Sequence, residues 1–158
     1  MLESEKVTGS ALHFKVPFHE NGDDYMANST QLPASSIQYS CDDSTKIAFT
    51  TIIGEINLQV LQSELSLIWS GSSYNPDYSV MVDIRQAFLR LETNDIPLVL
   101  ELFSAMPVHK KNRKFAMLTA TPQQVAFSTM FGQNIKNKYP FIVEIFSTYE
   151  AGINWLGV

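Results

Sequence analysis

Apolar and polar positions along the chain switch between two periods. SIQYS (36–40) and IAFTTIIG (47–54) carry the β-branched and aromatic content of strands, and CDDSTK (41–46) between them is turn-forming, because short Asp and Ser side chains bond back to nearby backbone. The pair predicts a hairpin. INLQVLQSELSLIW (56–69) then places Leu58, Leu61, Leu65 and Ile68 on one face at three- and four-residue spacings, with Gln62 and Glu64 away from it. This is an amphipathic helix.

SVMVDI (79–84) is a continuous apolar run, as expected of a strand covered on both faces. A helix is predicted from about Asp95, with Leu98, Val99, Leu102, Phe103 and Met106 as its buried stripe. KFAMLTA (114–120) is the next strand. TPQQVAFSTMFGQNIKN (121–137) opens with Thr121 as N-cap, Pro122 at the first helical position and Gln124 three residues after the cap. FIVEIF (141–146) is a further strand. STYEAGINWLG (147–157) repeats the helix logic, with Ser147 as cap, Glu150 reaching back, Ile153 and Leu156 inward and Gly157 as the stop. Strands alternating with helices imply an α/β fold with a mostly parallel sheet and an antiparallel edge from the hairpin.

Residues 1–35 differ. They are polar and hold Gly9, Gly22, Pro17 and Pro33 without a helical period. Within them Leu12, Phe14, Val16 and Phe18 alternate with His13, Lys15, Pro17 and His19, a two-residue period that predicts a strand over 11–19. Pro17 cannot donate to a ladder, so the strand belongs at a sheet edge. The expected organisation is an N-terminal extension over 1–35 and one domain over 36–158.

Composition narrows the function. A 45% hydrophobic content, with ten Phe, six Tyr and two Trp, suffices for a single core in 158 residues. The net charge of −5 disfavours a broad nucleic-acid or anionic-membrane surface, which needs a cationic footprint. Cys41 is the only cysteine, so neither an intramolecular disulfide nor a cysteine-based zinc site is expected. The first ten residues lack the apolar core of a secretory signal, and no apolar run nears the roughly 20 residues of a membrane span. A soluble, cytoplasmic protein is the expectation.

Candidate chemistry is sparse. His13 and His19 would stand roughly 20 Å apart on one strand at ~3.3 Å per residue, so they cannot share a metal there. No dinucleotide fingerprint or P-loop follows any strand, and Gly71-Ser72 and Gly9-Ser10 lack the second glycine of a nucleophile elbow. No cofactor or metal is expected. Asp83, at the predicted end of the third strand, is held by backbone amides of the following turn or paired with a cation such as Arg85. With Glu92 it is also the one place where an enzyme would be sought. In HKKNRK (109–114), Lys110, Lys111, Arg113 and Lys114 form either a solvated turn or a docking patch for a phosphate or an acidic partner. Thr121 and Ser147 could hold an anion at a strand's carboxyl end, but capping accounts for them.

Four stretches carry a family resemblance: GEI (Gly54, Glu55, Ile56) before the first helix, VMVDIR (80–85), a short basic turn before FAMLT, and AGINWLG (151–157). By these, residues 37–158 resemble the SpoIIAA-like family, which belongs with the STAS (anti-sigma-factor antagonist) domains. The resemblance implies a small domain with a mixed sheet, helices largely on one face and no catalytic activity. In the wider superfamily, members dock to a partner such as a kinase-like anti-sigma factor. Docking is controlled by phosphorylation of a serine where the helix after the central strand begins. Here that bend reads LETNDIP (91–97), which puts the site near Thr93, although the usual Asp-Ser-Ser-Gly signature is absent. In the simpler account Thr93 or Asp95 caps the helix and Pro97 sits in its first turn.

Asp83, Arg85, Glu92 and Thr93 are thus the candidate switch or partner-binding residues. The preferred expectation is a non-enzymatic regulatory domain that binds a protein, with self-association a further candidate; it predicts a contiguous apolar patch and no deep polar pocket. The alternative is a carrier of a small apolar or lipid-like ligand. That reading predicts a cavity of roughly several hundred cubic ångströms lined by Phe103, Phe127, Phe131 and Trp155.

Overall fold

A computed structural model describes residues 32–108 and 111–157. Met1–Thr30 and Gln31–Val158 separate as two units, and the described residues all belong to the second. The strand expected over 11–19, with His13 and His19, lies outside the described residues, as do His109 and Lys110.

The hairpin forms as expected from β1 (Ser36–Asp42) and β2 (Ile47–Ile56), antiparallel from Ser36↔Ile53 to Asp42↔Ile47. Asp42 Oδ1 closes the turn by accepting from Ser44 N at 2.8 Å and Ser44 Oγ at 2.6 Å, and Lys46 takes a left-handed φ of 59° to leave it. β3 (Ser79–Leu89), β4 (Arg113–Leu118) and β5 (Phe141–Phe146) follow in parallel, giving a five-stranded sheet in the order β1-β2-β3-β4-β5. The fold is α/β, a mixed, mostly parallel sheet with one antiparallel edge.

Helices α1 (Leu58–Ser70), α2 (Ile96–Leu102), α3 (Pro122–Ile135) and α4 (Tyr149–Leu156) fill the crossovers and the C-terminus. Strand alternation divides the core in two. Ala48, Ile52, Val80, Ile84, Phe115 and Met117 face Leu61, Leu65, Val99 and Phe131 of α1, α2 and α3. Ile47, Met81, Ala116 and Leu118 point the other way, against Ile153, Trp155 and Leu156 of α4. Close approach of α4 rests on Gly152, where a Cβ would stand 2.9 Å from Met81 Cε.

Three local expectations are corrected. First, β3 does not end at Asp83 but runs to Leu89. Thr51 pairs with Asp83 while Ile53 pairs with Gln86, so β3 carries one extra residue, a β-bulge. The bulge resets the alternation and returns Ala87 and Leu89 to the core, which the polar run Asp83, Arg85, Gln86 disguises in the sequence. Second, α2 is short and is flanked by 3-10 turns at Thr93–Asp95 and Phe103–Ala105. Its buried positions are Ile96, Val99 and Leu100, and Leu98 is 46% exposed. Third, Thr148 and not Ser147 caps α4, accepting from Ala151 N at 3.3 Å. Gly157 ends that helix at φ 97°, as expected.

Candidate functional site

The four candidate residues, expected near one strand end, are separated. Asp83 and Arg85 pair on the α4 side of β3: Arg85 Nε meets Asp83 Oδ1 at 2.9 Å and Nη2 meets Oδ2 at 2.6 Å, while the Arg85 backbone N–H donates to Oδ1 at 3.1 Å. Partial burial alone would raise the Asp83 carboxyl, but the hydrogen bonds and charge of Arg85 outweigh it and hold the group below its ordinary value. The Arg85 guanidinium is raised in turn, mainly by its bonds to Asp83. Both alternatives weighed for Asp83, a backbone amide and a cation, are therefore realised together.

Glu92 and Thr93 lie beyond the end of β3 at Leu89, which is itself about 20 Å along the strand from Asp83 at ~3.3 Å per residue. There Glu92 N donates to Asp95 Oδ2 at 2.8 Å, and the Glu92 side chain accepts from the Asp95 backbone. This reciprocal pair organises the turn into α2, and Pro97 occupies its first turn. Thr93 is the first residue of that 3-10 turn.

The basic run is likewise divided, by strand alternation. Lys111 is exposed in the turn before β4. Lys114 points toward α4, where its Nζ donates to Trp155 O at 2.8 Å and stands 5.0 Å from the Trp155 ring centre. Arg113, one residue earlier, points to the opposite side and is 0% exposed, so it cannot belong to a surface patch. It sits two and four residues before Phe115 and Met117, on their side of the strand. That spacing is the signal a reading of the charge run overlooks.

Around Arg113 a polar cluster forms inside the core. Its Nε donates to Tyr78 O at 2.6 Å, Nη1 to Tyr74 Oη at 2.6 Å and Nη2 to Asn75 O at 3.0 Å, with Met106 Sδ 3.7 Å from Nη1. The Tyr74 hydroxyl in turn donates to Pro107 O at 2.9 Å. Tyr39, whose ring lies 5.9 Å from that of Tyr74, accepts from Asn75 N. Burial raises both phenols above their ordinary value, so they stay protonated. Every acceptor bonded to Arg113 here is neutral, and taking an ion out of water costs on the order of several kcal/mol.

Arg113 borders a cavity of about 90 Å³ between the sheet and α1, α2 and α3. Its wall is otherwise apolar, with Ile52, Leu65, Val82, Phe103, Phe127 and Phe131 among the lining residues and Tyr39, Tyr74 and Thr50 as the polar ones. Phe103, Phe127 and Phe131 line it as expected of a carrier. Trp155 does not, because it packs on Phe146 across the sheet, and the volume is well below the one expected. The aromatic side chains fill most of the space between the layers: Phe103 contacts Phe131 at 5.0 Å and Trp69 at 5.5 Å between ring centres.

A second concavity is open to solvent. Leu58, Gln62, Leu65, Ser66 and Trp69 of α1 face Leu98, Glu101 and Leu102 of α2 across a groove of about 400 Å³. Its lining is mixed, with Gln62 and Ser66 beside the apolar side chains, and Glu101 makes its charge negative. Among the described residues no helix is long and apolar enough to cross a membrane, and no three His, Cys, Asp or Glu gather as metal ligands would.

No family model and no curated protein matches the sequence. The similar solved structures include two crystal structures. One is an anti-sigma factor antagonist from Mycobacterium paratuberculosis, at 12% identity over 78% of this chain and 94% of that one, with a TM-score of 0.49. The other is an uncharacterised protein of the DUF3478 family with a SpoIIAA-like fold from Shewanella loihica, at 15% identity over 81% of this chain and 98% of that one, with a TM-score of 0.51. The second likeness shows the fold: the expected SpoIIAA-like architecture is the one observed.

Proposed function

We propose that this chain, folded as a SpoIIAA-like domain over 36–158, is a non-enzymatic regulatory or interaction module of the cytoplasm that binds an amphipathic segment of a protein partner. The observation that carries the reading is the solvent-open groove between α1 and α2, where Leu58, Trp69, Leu98 and Leu102 offer apolar surface beside Glu101. A helix with an apolar face and a basic edge would bury the former and meet the latter. Thr93 leads into α2, so a phosphoryl group there would set close to two negative charges beside Glu92 and Asp95. Their repulsion would loosen the turn and shift the helix that walls the groove.

A photo-crosslinking side chain at Leu98 tests this in cells. One discrete adduct, lost when Leu102→Arg is added, supports the reading. An adduct with a second copy of the chain identifies self-association, and the absence of any adduct defeats it.

A second reading, a carrier of a small apolar molecule, is favoured by the apolar cavity between the sheet and its helices. At about 90 Å³ it suits a small molecule and not a lipid chain.

A further inference from the structure

We propose that the cavity beside Arg113 binds a short carboxylic acid of two or three carbons, held by the Arg113 guanidinium; this rests on the carrier reading and names its ligand. An apolar cavity of roughly 150 Å³ takes benzene, with six non-hydrogen atoms, so a cavity of 90 Å³ takes about four. Acetate has four and propionate five. The wall asks for an apolar body, since Ile52, Leu65, Val82, Phe103 and Phe127 offer it nothing else.

The remaining wall favours an anion, beyond the partial offset of the charge by the Tyr74 and Phe115 rings, 5.4 and 5.5 Å from the guanidinium carbon. Arg113 is fully buried, and its hydrogen bonds go to two carbonyls, a phenol and a thioether, none of which neutralises its charge. The thioether is the weakest of these acceptors, at 3.7 Å, and Met106 itself lines the cavity. A carboxylate oxygen replacing it would take a charge-assisted bond from Nη1. The carbonyls of Tyr78 and Asn75 would keep theirs, so the loop they belong to need not move. Tyr39 and Tyr74, held protonated by burial, put no competing negative charge on that wall.

The test uses the full chain, titrated with propionate and with propionamide, the neutral molecule of nearly the same shape. Binding is followed by methyl NMR and by the Arg113 Nε–H signal. Propionate is expected to shift that signal and to bind at least tenfold more tightly than the amide. Val82→Leu, one methylene larger at the cavity wall, is expected to weaken binding of propionate. Equal affinity for acid and amide would overturn the anchoring role of Arg113 while leaving the carrier reading intact. No binding of either at millimolar concentration would overturn both. Binding that leaves the Arg113 signal and the Val82→Leu affinity unchanged would place the ligand elsewhere and overturn the proposal.

Discussion

Gln124 and Ile84, forty residues apart, are joined by a 2.7 Å hydrogen bond from the Gln124 side-chain amide to the Ile84 carbonyl. β4 pairs with β3 only as far as Leu118↔Asp83, and beyond that point the carbonyls of β3 have lost their neighbour. Gln124 replaces it, donating also to Ala87 O at 3.0 Å, while its Oε1 accepts from Ala120 N and Thr121 N. Gln123 extends the join to Leu89 O at 3.1 Å. One residue completes the capping box of α3 and supplies the edge that the bulged half of β3 lacks.

Gln124→Leu should therefore cost about 2–4 kcal/mol, because it leaves two buried carbonyls and a helix start without donors or acceptors. Urea unfolding with an unchanged m-value measures it. Gln123→Leu, with one bond at stake, should cost less.

Gly54→Ala should destabilise by at least about 2 kcal/mol. Gly54 has φ +80°, and a Cβ there would stand 2.5 Å from Pro33 O and 2.9 Å from Ala34 O, both backbone atoms with little room to yield. Thermal unfolding would show the drop, and an unchanged midpoint would remove the physical basis for the glycine in GEI.

Thr148→Ala should cost about 1 kcal/mol through loss of the α4 cap, and Ser147→Ala should stay within about 0.5 kcal/mol. Chemical denaturation of the two variants side by side separates the cap that forms from the one that the serine suggests.

The Asp83–Arg85 pair should make stability depend on acid. The folded carboxyl ionises below its unfolded value of about 3.9, so the unfolded chain binds the proton first and the pair contributes fully above that value. The contribution is lost as pH falls through the folded value. Being partly exposed, the pair is worth about 0.2–1 kcal/mol at neutral pH. Asp83→Asn should be less stable than the parent at pH 7 and lose less on acidification from pH 5 to pH 3; parallel pH profiles would contradict this.

Element order, the hairpin turn, the α3 capping box and the Gly157 stop follow from the sequence itself, because each depends on residues within a few positions of one another. The lengths and faces of β3 and α2 do not. The bulge at Ile84–Arg85 exists because β2 pairs alongside, and its carbonyls are tolerable because Gln124 arrives from the next crossover. Arg113 shows the same division: its alternation with Phe115 and Met117 is written in the chain, but that its charge would be buried against Tyr74, Asn75 and Tyr78 depends on how α1 and the loop after it close over the sheet. Local hydrogen bonds and side-chain periods are properties of neighbouring residues. The satisfaction of a buried donor, and the space left beside it, belong to segments that meet only when the whole domain has packed.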